Sequence, residues 1–228
     1  MKIIFIILGF LASAAFGFGQ VMTKQEIYTE WVNANKWANE AINIQTALKQ
    51  DSIASENSKV AINDLRRNNI DTFAFIKLVT VGFTKKKDDT NYEMYLFWLS
   101  RGKYFVQLFT HTTKSRVLEI PESHFINFYW KNHATIKNDH IIPPIYSGKR
   151  ESAEIQYEGR LLIHEKEYTI ACQLGNNFKL LRFGQSYFKD EKSLFFLDNI
   201  STFSYHWVMI AEAEIQTLRN KLSSHRVD

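Results

Sequence analysis

One cysteine, three prolines and nine glycines are all that this chain of 228 residues holds of those three types. Three of the glycines fall in the first 19 residues. The closest pair among the rest, Gly175 and Gly184, is nine residues apart. A GxGxxG turn or a Walker-type phosphate loop needs glycines within a few positions of each other, so that backbone amides can close on a phosphate, and neither can be written here. A lone Cys172 excludes a CxxC zinc knuckle, a thiolate iron–sulfur site and an internal disulfide. Charge of one sign is scarce too. Lys and Arg number 28 against 24 Asp and Glu, a net charge of +4 that is too mild to argue for a nucleic-acid partner.

What is abundant is apolar and aromatic: 45% hydrophobic residues, with 18 Phe, 10 Tyr and 5 Trp. That composition belongs to a globular chain with a bulky core, and the length suffices to bury one without disulfides. The only long apolar run is at the start. Lys2 is followed by Ile3-Ile4-Phe5-Ile6-Ile7-Leu8-Gly9-Phe10-Leu11-Ala12, then by small residues in Ser13-Ala14-Ala15 and Gly17-Phe18-Gly19. The order of charge, apolar run and small residues is that of a secretory signal peptide over 1–19. A cut after Ala14 or after Gly19 fits, and the second is preferred, leaving Gln20 first. The run is shorter than the ~20 residues that span a bilayer, and no later stretch is free of charge. The best later stretch, 92–109, is broken by Glu93, Arg101 and Lys103. The expected location is therefore periplasmic or secreted, with no transmembrane segment once the leader is gone.

Thr23-Lys24-Gln25-Glu26 has the T-x-x-E form of a capping box. Ile27, Trp31, Ala34, Ala38, Ala41, Gln45 and Leu48 follow at helical spacing, predicting an amphipathic helix over about 24–49 with Trp31 in the core. A second helix carries Val60, Ile62 and Leu65 and is broken by Asn68-Asn69. From Asp71 the period changes to two. Three predicted strands, 71–83, 92–99 and 104–109, are joined by a solvated turn over 84–91 and by Ser100-Arg101-Gly102-Lys103, which reads as an antiparallel meander. Its faces are apolar on both sides, so both need cover. Further strands are expected over 153–157, 160–164, 167–174, 178–183 and 193–197. A last helix over about 201–223 carries Val208, Ala211, Ile215, Leu218 and Leu222. Cys172 shares a face with Tyr168, Ile170 and Leu174 and reads as a small buried hydrophobe. The expected class is α+β: one domain over 20–228, with an antiparallel sheet and terminal amphipathic helices packed on it or on each other. A split near 145–152 is the alternative.

Several sequences come close to catalytic motifs and miss. His164-Glu165-Lys166-Glu167-Tyr168 begins like HExxH but lacks the second imidazole and falls on a predicted hairpin turn. Gly184-Gln185-Ser186-Tyr187-Phe188 lacks the second Gly of a nucleophile elbow. The stretch 121–150 has no clear period and holds all three prolines and three of the seven histidines. It reads as an irregular connection, the kind of segment on which a scaffold presents functional side chains. Tyr129, Trp130, Tyr146 and Arg150 are its candidate binding residues, because large amphipathic and Arg side chains dominate binding hot spots. His133, Asp139 and His140 are candidates for metal ligands or an oriented general base, although a spacing of seven between the histidines fits no standard metal motif. The expectation is an exported, noncatalytic cell-envelope protein without a cofactor. It would bind a protein partner or a cell-surface polymer. A small periplasmic or secreted hydrolase centred on 121–150 is the alternative.

Overall fold

The computed structural model describes residues 20–35, 56–80, 91–151, 154–159, 166–223 and 226–227. The leader over 1–19, the continuation of the first helix to 49, the turn over 84–90 and the strand over 160–164 lie outside them. In chain order the described elements begin with β1 (Gln20–Val21), α1 (Lys24–Ala34), α2 (Glu56–Arg67), β2 (Thr72–Thr80), β3 (Asn91–Ser100) and β4 (Lys103–Phe109). They continue with β5 (Lys114–Ser115), β6 (Leu118–Ile120), α3 (His124–Asn138), β7 (Ile145–Glu151), β8 (Glu154–Gly159), β9 (Lys166–Leu174) and β10 (Asn177–Gly184). A 3-10 turn at Gln185–Phe188 leads to α4 (Phe196–Ile200), α5 (Phe203–Ser223) and β11 (Arg226–Val227).

The period-two stretch forms the middle of an antiparallel sheet in the order β10-β9-β2-β3-β4-β5-β11, with β6 also paired to β4. The class is α+β. The β3–β4 hairpin turns through Arg101 and Gly102, both at positive φ (51° and 75°), as a two-residue hairpin loop requires. On one face Ala74, Ile76, Tyr95, Phe97, Ile170 and Cys172 meet Phe125 and Tyr129 of α3 and Trp207, Ala211 and Ile215 of α5. On the other, Phe73, Phe75, Val79, Met94 and Leu96 meet Ile62 and Leu65 of α2. Both faces of the meander are thus covered, as their apolar patterning demanded. Asn69 ends α2 in the left-handed region (φ 56°). The Ile70 N–H donates to Leu65 C=O and the Asn69 N–H to Arg66 C=O, satisfying two carbonyls the helix leaves open.

A second sheet, β1-β7-β8, carries its own smaller core of Met22, Ile27, Ile142, Ile145 and Phe195. The capping box of α1 is present, with the Thr23 N–H donating to Glu26 Oε2 at 2.7 Å and the Glu26 N–H to Thr23 Oγ1 at 3.3 Å. This helix packs on the small sheet rather than on the large one. Ile27 approaches β7 so closely at Gly148 that a Cβ there would meet it at 3.0 Å. Trp31 is accordingly half-buried at the edge of the small core, not central as its seam position implied.

Two further expectations are corrected. The stretch 121–150 is not irregular: it contains α3 and β7. Phe125, Ile126, Tyr129 and Ile136 do share a buried face. Asn127, Asn132 and His133 interrupt the pattern, and the aromatic and β-branched residues around them are weak helix formers, so packing on the sheet supplies what propensity does not. The strand expected at 193–197 is a turn running into α4. There the fully buried Asn199 imitates a strand partner. Its Oδ1 accepts from the Ile142 N–H at 3.0 Å, and its Nδ2 donates to the carbonyls of Ile142 and Tyr187, both at 2.8 Å.

Candidate functional site

The first turn of a helix leaves amide groups that the helix itself does not satisfy. At the start of α3, Ser123 Oγ accepts from the Ile126 N–H at 3.3 Å. The preceding amide, Phe125 N–H, donates instead to Glu214 Oε2 of α5 at 2.8 Å. The other carboxyl oxygen of Glu214, Oε1, is buried without a well-formed hydrogen bond. Burial pushes this carboxyl above the usual carboxylate range, against the downward pull of the Phe125 N–H, the adjacent Ser123 side chain and His124.

Beside this junction lies a groove of about 820 Å³. Leu118, Ile120 and Pro121 line it from the β6 side, Phe128 from α3, and Ile210 and Leu218 from α5. Along α5 the lining runs from Ile210 to Lys221, a rise of about 16 Å at the α-helical pitch. Most of its surface is apolar, but eight of its fifteen lining residues are polar or charged. Asn127 Oδ1 accepts from the Tyr104 hydroxyl at 2.7 Å, Glu122 pairs with His124 Nδ1 at 2.6 Å, and Glu119 with Lys103 at 3.0 Å. Lys131 of α3 and, on α5, Glu214 and Lys221 complete the charged lining. A concave surface that joins apolar side chains to several fixed polar groups is the ordinary form of a binding or active site.

The residues singled out from the sequence are placed differently. Tyr129 is buried in the main core against Trp207, ring centroids 4.9 Å apart, so it offers no binding surface, and burial raises its hydroxyl well above the ordinary value. Trp130 is 49% exposed but does not line the groove. Tyr146, half-buried on β7, donates its hydroxyl to Asp190 Oδ2 at 2.5 Å, and Arg150 pairs with Glu30 of α1. Of the acid–base candidates, His133 Nδ1 sits 3.0 Å from the Trp130 carbonyl. Asp139 Oδ2 accepts the Ser204 N–H at 2.7 Å and so caps α5. His140 lies edge-on to Tyr28, and burial, with Lys179 nearby, holds its imidazole below the usual value. Among the described residues no group of three or more His, Cys, Asp or Glu could hold a metal ion. Cys172 is buried in the main core, and burial raises its thiol well above the ordinary value.

The groove itself was missed. Leu118, Ile120 and Pro121 lie in a short segment with too little chain to show a period, and Glu214 reads from sequence as part of an acidic-then-basic helix surface. Ser123 two residues after Pro121 was the available signal for the start of α3. Comparison with protein-family models, with curated proteins and with solved structures finds no match, so the functional reading rests on geometry and chemistry.

Proposed function

We propose that the chain is an exported, noncatalytic protein of the cell envelope, cleaved after Gly19, that binds an apolar segment of a partner protein in the groove between α3, α5 and β6. The observation that carries this reading is the groove: an open apolar surface walled by two helices whose opposite faces are committed to the core. Between the two partner classes considered, a protein segment is favoured over a surface polymer. A polysaccharide would bring a hydroxyl on nearly every carbon, and those lying over Leu118, Ile120, Pro121, Ile210 and Leu218 would lose water without gaining a partner. Aliphatic side chains of a peptide lose nothing there. The exported half of the reading is supported by the order of Lys2, the apolar run and the small residues before Gln20.

The test uses Ala213, which is exposed and lines the groove without entering the core. A photo-crosslinking amino acid at 213, in protein expressed in its native cells, should yield one major protein adduct. The crosslinked segment, made as a peptide, should bind the purified protein and lose at least ten-fold in affinity to A213R, with the thermal midpoint unchanged. Adducts only to polysaccharide, or a peptide that binds A213R as well as the parent, would overturn the reading.

A further inference from the structure

We infer that the segment held in the groove is extended and adds to the free edge of β6 as an antiparallel strand, hydrogen-bonded to the main chain of Glu119. This rests on the groove reading above and adds the partner's conformation and its sequence pattern.

In a strand the N–H and C=O of one residue point to the same edge, and successive residues alternate edges. On β4 the Leu108 N–H donates to Ser115 Oγ at 3.0 Å, and just beyond it the Thr110 N–H donates to Thr113 C=O at 2.9 Å. Even-numbered residues there thus face the β5 and β6 side. Tyr104 and Val106 are among them, opposite Ile120 and Leu118. Those two pairs exchange hydrogen bonds, which turns the N–H and C=O of Glu119, between them, outward. Among the described residues no strand pairs with that edge of β6, and neither main-chain group of Glu119 has a hydrogen-bond partner.

This edge opens onto the groove, which Leu118, Glu119 and Ile120 all border. Their side chains alternate between the two faces of the sheet, so a surface bordered by three in succession runs along the main chain. The same side of β4 already takes an extended segment further along, where Arg226 and Val227 pair with Ser115 and Lys114 of β5. Each strand pair among the described residues is antiparallel. A residue directly opposite Glu119 would exchange both hydrogen bonds with it. Its two neighbours would lie beside Leu118 and Ile120, on the face covered by α3 and α5. The partner's pattern is therefore apolar-polar-apolar, with the polar residue against Glu119. Two positions on, Pro121 has no N–H to offer, so the ladder is short. A helical partner spends its amides within its own turns and would leave Glu119 unsatisfied.

The experiment titrates the purified protein, by calorimetry, with three forms of the peptide Lys-Thr-Val-Thr-Val-Thr-Val-Lys with blocked ends. One is plain, one is N-methylated at every Thr, and one at every Val. With the Val side chains on the helices, antiparallel addition turns the Thr amides to β6 in every register and the Val amides away from it. The plain and Val-methylated peptides should bind, and Thr-methylation should weaken binding at least ten-fold. Glu119→Pro removes only an outward N–H from an edge strand and should weaken the plain peptide as much, whereas Glu119→Gln should leave it unchanged. Three results overturn strand addition: equal or reversed affinities of the two methylated peptides, no binding of the plain peptide at about 1 mM, or a folded Glu119→Pro protein that binds as the parent does. If Glu119→Pro does not fold, the methylated pair decides alone. Crosslinking at 213 tests the groove reading separately, so either can fail without the other.

Discussion

Glu214 shows how much one side chain is asked to do. It satisfies the Phe125 amide of a different helix, lines the groove and keeps Oε1 buried without a well-formed hydrogen bond. A carboxyl whose titration is raised on folding still holds its proton in the folded protein at pH values where the unfolded chain has released it. Stability then falls as pH rises from the ordinary carboxylate range through the raised value, and the favourable contribution is complete only below that range. Glu214→Gln keeps an acceptor for Phe125 N–H and removes the titration. Its thermal midpoint, measured from pH 4 to 8, should climb relative to the parent across that interval and then run parallel to it. A difference that is flat with pH would show that Glu214 is not desolvated.

At the scale of elements, α5 is the long helix of the main core, and its charges work sideways rather than along it. Glu212 accepts from the Tyr168 hydroxyl at 2.6 Å and from Lys166 at 3.1 Å, while Arg219 donates to Glu93 at 2.7 Å and to the Tyr95 hydroxyl at 3.3 Å. Burial and the neighbouring Glu93 help push the Tyr95 hydroxyl up to about 12. Seven residues apart, the pair fastens one helical face to the sheet at two points. Trp207 between the helices is fully buried, and its Nε1 donates to the Phe125 carbonyl at 3.0 Å. Trp207→Ala should therefore cost roughly 3–5 kcal/mol in urea unfolding. Trp31→Ala, on the half-buried side of α1, should cost roughly 1–2 kcal/mol because less of its surface leaves water. Equal losses would mean that the small core is as tightly built as the large one.

Among the described residues the cores differ in size: 23 buried residues between the main sheet, α3 and α5, and 11 on its α2 face, against five beneath the small sheet. Few strands and few buried side chains make a unit that opens locally at low free energy. Backbone amides of β7 and β8 should exchange with solvent through openings at least 2 kcal/mol easier than those of β2, β3 and β9, measured by hydrogen exchange in low denaturant. Matching values throughout would make the chain one cooperative unit across the junction at 145–152. Asn199 and the Leu194 N–H, which donates to Ile145 C=O at 2.9 Å, tie the α4 region to β7 and the residue preceding Pro143.

How much of this was legible depended on the range over which the information acts. Alternation over 73–79, the Arg101-Gly102 turn, the Thr23–Glu26 box and the seam of α5 are local, set by which backbone conformations and faces neighbouring residues share, and the α+β class with its antiparallel meander follows from them. The burial of Cys172 was legible for the same reason. The nature of 121–150 was not: α3 is a helix because the sheet below it buries Phe125, Tyr129 and Ile136, a gain the isolated segment does not have. Nor was the groove, which exists only because β6 and α3, neighbours in sequence, meet α5 from far along the chain. Sequence determined the strands of the meander, the Thr23 cap and the seam of α5. Tertiary structure alone decided which side chains were spent on the core and which were left exposed along the groove, because burial belongs to the assembled surfaces and not to any one segment.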